Sequence, residues 1–128
     1  MKKVVVFGVF DLLHPGHLYF LREAKKYGDH LTVVITRDAR VLHEKGHTPK
    51  LNERERVEMV SALRDVDNVA LGDKVGEWKI LRKLKPNVIC IGYDQDATLI
   101  ECAGLTYRPK IVRITQYKKY SSRVITAH

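Results

Sequence analysis

The sequence predicts an α/β fold, a doubly wound Rossmann-like domain with a five-stranded parallel sheet. Three observations carry that expectation. Short β-branched runs alternate with segments of helical periodicity along the chain. The runs are apolar at successive positions instead of alternating with polar ones, the pattern of strands covered on both faces. The polar residues with chemistry to offer collect where those strands end, as in open sheets that bind a ligand beyond their carboxyl edge. Right-handed crossovers then give the doubly wound arrangement. No internal repeat, low-complexity tract or linker interrupts the 128 residues, so a single domain over 1–128 is expected.

Taken in order, Lys3 to Phe7 is a short strand ending at Gly8. Pro15 to Tyr27 reads as a helix, with Leu18, Leu21 and Ala24 at helical spacing and Gly28 as its stop. Leu31 to Thr36 is the second strand. Arg37 to Lys50 is polar, contains Gly46 and Pro49, and reads mainly as a mobile loop. Asn52 caps a helix running to about Leu63, with Glu55 at the capping-box position. Val66 to Leu71 is the third strand. Trp78, Leu81 and Leu84 fit a helix that stops before Pro86. Asn87 to Ile91 is the fourth strand, broken at Gly92. Ala97 to Gly104 is expected to be helical, Lys110 to Ile114 to be the fifth strand, and the tail from Ser121 a short closing helix.

Bulk properties narrow the class of function. Apolar residues make up 45% and charged residues 30% of the chain, and no apolar run nears the roughly 18 residues of a membrane span. The start MKKVVVFGVF lacks a small-residue cleavage site and reads as a strand, not a signal peptide. Cys90 and Cys102 lack CxxC spacing and read as free buried thiols in a reducing, cytoplasmic setting. The net charge of +8 favours an anionic partner, though lysines that only keep a surface soluble would give the same figure. A nucleic-acid-binding module would need a basic stripe with exposed aromatics; the tyrosines at 93, 107, 117 and 120 suit packing or a ligand site equally well. Neither nucleic acid nor membrane is expected as a partner.

The segment GVFDLLHPGHLYFLREA, residues 8–24, holds two histidines around a Pro-Gly pair where a strand gives way to a helix. Pro15 suits the first helical position, where a missing N–H costs nothing. Gly16 lets backbone come close to a ligand. The helix start offers N–H groups and a positive dipole end, and His14 and His17 flank that anion position as hydrogen-bond donors to phosphate oxygens. A capping or half-buried filler role, or metal ligation, uses the same residue types; the Cys/His/acidic set of a structural zinc site is not nearby. The phosphate loop GxxxxGK[ST] and the dinucleotide fingerprint GxGxxG are both missing from the sequence. Three more polar segments, RDARVLHEKGH, GYDQ and QYKKYSS, follow strands two, four and five.

GVFDLLHPGH resembles the signature G-T-F-D-x-x-H-x-G-H of the cytidylyltransferase-like nucleotidyltransferases, which share the HxGH element with class I aminoacyl-tRNA synthetases. The resemblance extends over nearly the whole chain. It implies the HxGH nucleotidyltransferase fold and transfer of a nucleotidyl group from a nucleoside triphosphate to a phosphate ester, with release of pyrophosphate. It implies that Gly8, Val9 (where the family has Thr), Phe10, Asp11, His14, Gly16 and His17 bind the nucleotide, with His14, His17 and Arg56 in catalytic positions. Arg64 matches a second family arginine, and Gly92 and Asp94 match a G-x-D element near the nucleobase. KKYSSRVI is similar to the family's I-S-[ST]-[ST]-[KR]-I, which places Tyr120, Ser121, Ser122 and Arg123 at the triphosphate tail. Lys45 lies in the loop before the arginine-bearing helix, where relatives carry a phosphate-binding lysine, and Lys118 and Lys119 are candidates to supply charge to substrate phosphate. The usual R-T-x-G-I-S lead-in is replaced by Tyr117-Lys118-Lys119-Tyr120.

Within the family, ITRDARVLHEKGHTP, ERVEMVSALRDVDNVALG and LKPNVICIGYDQ look most similar to archaeal-type FAD synthases. Those use ATP to adenylate FMN. CTP and glycerol 3-phosphate are the alternative pair, by similarity to glycerol-3-phosphate cytidylyltransferase. A nucleotide-binding protein without catalysis is the non-enzyme alternative. Transfer between phosphates calls for a divalent ion, Mg²⁺, bridging phosphate oxygens as cofactor; no residue is expected to ligate a metal; and the resemblance implies a homodimer.

Overall fold

The computed structural model describes residues 1–96 and 104–117. Five strands form one parallel sheet: β1 (Lys3–Gly8), β2 (His30–Ile35), β3 (Asn68–Leu71), β4 (Val88–Ile91) and β5 (Lys110–Arg113), in the spatial order β3-β2-β1-β4-β5. The chain builds outward from β1 to β3, then crosses back to lay β4 on the other side of β1. The order therefore reverses between β1 and β4, where a crevice opens at the carboxyl edge of such a sheet.

The unbroken apolar strands are explained by cover on both faces. Val4, Val6, Val33, Val88 and Cys90 pack on one side with Leu21 and Ala24 of α1 (Pro15–Lys25) and Val60 of α3 (Glu53–Ser61). Val5, Val34, Ile89 and Ile91 pack on the other with Leu81 of α4 (Ile80–Leu84). Leu18 shares the spacing of Leu21 and Ala24 but is 38% exposed. Cys90 is fully buried and its thiol pKa is pushed up to about 11 by that burial, so it is an inert core residue.

Asn52 caps α3 as expected: its side chain accepts the Glu55 N–H at 2.9 Å, and the Glu55 carboxylate returns the bond to the Asn52 N–H at 3.0 Å. The mobile loop expected over Arg37 to Lys50 is corrected by the structure. Asp38–Lys45 is a helix, α2, closed by Gly46 in the left-handed region at φ 77°. Its periodicity was hidden because it buries only Val41 and leaves Leu42 49% exposed. Ion pairing at its first turn, described below, replaces the apolar face. The expected helix over Ala97 to Gly104 and the closing helix from Ser121 fall on residues outside the described ones, apart from Gly104, as does Cys102. Among the described residues no helix is long and apolar enough to cross a membrane.

Candidate active site

A cleft of about 970 Å³ opens over the carboxyl ends of the strands. Its floor is the motif turn, Gly8 to Asp11 with His14, Gly16 and His17. One wall is α2 and the loop after it, including Lys45 and His47; the other is Gly92 to Asp96 with Ile114 to Tyr117. The structure thus gathers the motif residues, Lys45, Gly92 and Asp94 around one space.

The turn explains why its residue types recur at this spacing. Phe10 has φ 49°, a left-handed conformation that a bulky residue adopts only under constraint. Its buried ring folds back over Gly8, where an added Cβ would lie 2.4 Å from Phe10 Cε2. The same ring meets His17 edge-on at 5.5 Å between centroids. Gly16 is needed for a parallel reason, since a Cβ there would come within 2.7 Å of the His14 ring. Asp11 turns away from the helix and accepts the N–H groups of Leu51 (2.8 Å) and Lys50 (2.9 Å). These two bonds hold its carboxyl below the usual carboxylate range and tie the motif to the start of α3.

The helix start differs from the expected ring of free N–H groups. The Gly16 N–H donates to His14 Nδ1 at 3.0 Å, and the His17 N–H donates to the His14 carbonyl at 2.9 Å. The His14 N–H in turn donates to His17 Nδ1 at 3.1 Å, closing a capping box built from two imidazoles. Capping and anion recognition are therefore not rivals here. With both Nδ1 atoms accepting, the proton of each neutral ring is fixed on Nε2 by the hydrogen-bond network. The rings stack 3.9 Å apart, tilted by 33°. Burial, and secondarily the neighbouring His14, push the His17 pKa down to about 4. His17 is thus neutral at physiological pH, with a donor on Nε2 and no proton on Nδ1.

Two expected site residues lie elsewhere. Arg56 is wholly buried and does not line the cleft. Its guanidinium donates to the carbonyls of Leu51 (3.1 Å), Val9 (2.9 Å) and Thr36 (2.7 Å) and to Asp38 Oδ1 (2.6 Å). It gathers the ends of β1 and β2 beneath the cleft and so supports the motif turn. Arg64 is exposed beyond the far end of α3, and Asp67 shortly after it bonds to Leu31 at the start of β2. Eight residues of helical rise, about 12 Å, carry Arg64 from the carboxyl edge toward the amino edge of the sheet. Lys118, Lys119, Tyr120, Ser121, Ser122 and Arg123 fall outside the described residues.

Sequence reasoning missed the supports. Asp38 and Glu53 cap each other's helices: the Asp38 N–H donates to Glu53 Oε1 at 2.8 Å, and the Glu53 N–H to Asp38 Oδ2 at 3.1 Å. Gln95 and Arg113 hold the Gly92–Asp96 segment through contacts across 88 and about 20 residues of chain. No local pattern announces such contacts. Among the described residues no group of three or more His, Cys, Asp or Glu could hold a metal ion.

Crevice, paired imidazoles and motif turn together define a nucleotidyltransferase of the HxGH type. Residues 5–125 match the cytidylyltransferase-like family, and the chain belongs to it. It is 39% identical over 121 residues to the FAD synthase of Methanocorpusculum labreanum, covering 91% of this chain and 85% of that protein. Against the FAD synthase of Aciduliprofundum boonei it is 45% identical over 121 residues, covering 91% and 80%. The crystal structure of a lipopolysaccharide core biosynthesis protein from Thermoplasma volcanium superposes with a TM-score of 0.83 at 40% identity, covering 91% of this chain and 98% of that one.

Proposed function

We propose that this chain is an FAD synthase, transferring AMP from ATP to FMN with release of pyrophosphate. The observation that carries the reading is the His14–His17 capping box, which fixes a ring proton on Nε2 at the floor of the cleft. The similarity to FAD synthases names the substrates. An oxygen of the FMN phosphate bonds to the α-phosphorus of ATP. The bond from that phosphorus to the bridging oxygen breaks, and pyrophosphate leaves with the electron pair. A phosphate nucleophile is already ionised at neutral pH, so no general base is required. The Nε2–H of His17, and with it His14, donates to oxygens on which charge grows.

Lys45 on the α2 wall meets substrate phosphate, and Asp94 with Gly92 on the opposite wall meets the nucleobase. A divalent ion would arrive on phosphate oxygens, as Mg²⁺ commonly does. Such an ion supplies charge neutralisation across the triphosphate when bound.

The test is a matrix of ATP and CTP against FMN, glycerol 3-phosphate and phosphopantetheine, read by product mass. FAD from ATP and FMN alone is the expected result. CDP-glycerol without FAD would move the chain to the glycerol-3-phosphate branch, and nucleotide binding without pyrophosphate release would make it a silent binder.

A further inference from the structure

β1 and β4 are paired from Val4 opposite Val88 to Val6 opposite Cys90 and no further, although β1 runs on to Gly8 and β4 to Ile91. Beyond that point β1 stays with β2, Gly8 opposite Ile35, while β4 stays with β5, Ile91 opposite Arg113. The sheet forks, and the cleft lies over the fork. One side chain spans it. Gln95 Nε2 donates to the Phe7 carbonyl on β1 at 2.8 Å, and Gln95 Oε1 accepts the Gly92 N–H just past β4 at 2.7 Å. The carboxamide takes the place of the next rung of the ladder. Its orientation is unambiguous, because the reverse would set oxygen against carbonyl and NH₂ against N–H. From the β5 side, one nitrogen of the Arg113 guanidinium donates to the carbonyls of Gly92 (2.9 Å), Gln95 (2.9 Å) and Tyr93 (3.3 Å).

We infer that Gln95 is a positioning residue for the nucleotide: by bridging the fork it sets the distance between the motif turn after Phe7 and the Gly92–Asp94 wall. The inference rests on the nucleotidyltransferase reading and adds a residue to it. A triphosphate lying across the fork touches both sides, so its affinity depends on their separation even where Gln95 itself makes no contact with it.

The chemistry of the bridge supplies its own test. It needs one donor and one acceptor on a flat group of carboxamide size. A protonated glutamic acid offers both; an ionised one keeps the acceptor, loses the donor and faces the Phe7 carbonyl with negative charge. Partial burial beside that carbonyl raises the pKa of such a carboxyl. Gln95→Glu should therefore open the fork at alkaline pH and close it in acid, whereas Gln95→Met removes both bonds at every pH. The experiment is isothermal titration of ATP into the full-length wild type, Q95E and Q95M, at about pH 8 and about pH 5, with melting temperatures alongside.

Relative to wild type at the same pH, Q95E should bind ATP about tenfold more weakly at pH 8, the equivalent of one lost hydrogen bond. At pH 5 it should return to within about threefold, while Q95M stays weak at both. A role confined to general stability would lower melting temperature without a pH-reversible affinity. Q95E equal to wild type at pH 8, or a deficit that does not shrink in acid, overturns the inference. Should Q95E fail to fold, Q95M binding ATP as wild type does would overturn it equally. A wild type that takes neither ATP nor CTP removes the nucleotide reading and this inference with it, which separates the two failures.

Discussion

At His17 the chain uses one residue for two purposes, and both depend on the ring being neutral. Its Nδ1 accepts the His14 N–H, which stabilises the helix start, and this places the ring proton on Nε2. Protonation would put a proton on Nδ1 and break the cap. The folded-state pKa of about 4 lies below the ordinary 6.5, so between those values the unfolded chain binds more protons than the folded one. Stability is therefore full above about pH 6.5 and is lost as pH falls through that window toward 4. His17→Gln keeps an acceptor for the His14 N–H, as Gln at this helical position commonly does, but does not titrate. Its melting temperature should fall less than that of wild type between pH 7 and pH 5; equal falls would count against the imidazole cap. His17→Ala should lower turnover by about 100-fold or more with the fold retained, since it removes an oriented donor to the reacting phosphate. An active His17→Ala enzyme would end the catalytic assignment.

The elements around the motif are fixed by charge more than by apolar area, and α2 is the clearest instance. With only Val41 buried, it depends on the reciprocal Asp38–Glu53 bonds and on the Arg56–Asp38 ion pair. Arg56 also donates to three carbonyls, at the ends of β1, β2 and the loop before α3. A single ammonium cannot reach four acceptors spread around a planar fork. Arg56→Lys should therefore destabilise the protein by about 1–3 kcal/mol through hydrogen bonds left unmade, and this is measurable by urea denaturation. A loss below about 1 kcal/mol would show that water takes over the guanidinium's bonds. The family resemblance puts Arg56 in a catalytic position. Burial turns its guanidinium toward the backbone beneath the cleft.

Over the whole molecule the net charge is +8, a balance that favours the approach of anions. If the excess steers a triphosphate into the cleft, added salt should raise KM for ATP severalfold between about 0.05 and 0.5 M KCl, where the screening length falls well below the size of the domain, with little change in kcat. An unchanged KM would mean that the local donors of the cleft suffice. At this scale the sequence by itself determined the layered architecture, because strands covered on both faces must be continuously apolar: Val4 to Val6 and Val88 to Ile91 show this directly. It also determined the motif turn, whose constraints are local: Gly8 under Phe10, Gly16 under His14, and a cap closed within four residues. Only the tertiary structure decided the rest. That α2 is a helix, that Arg56 lies under the cleft and Arg64 away from it, and that Gln95 spans the fork all depend on groups brought together from distant parts of the chain. Hydrogen bonds and ion pairs of that kind leave no period in the sequence; they exist only once the sheet has set the distances between its strand ends.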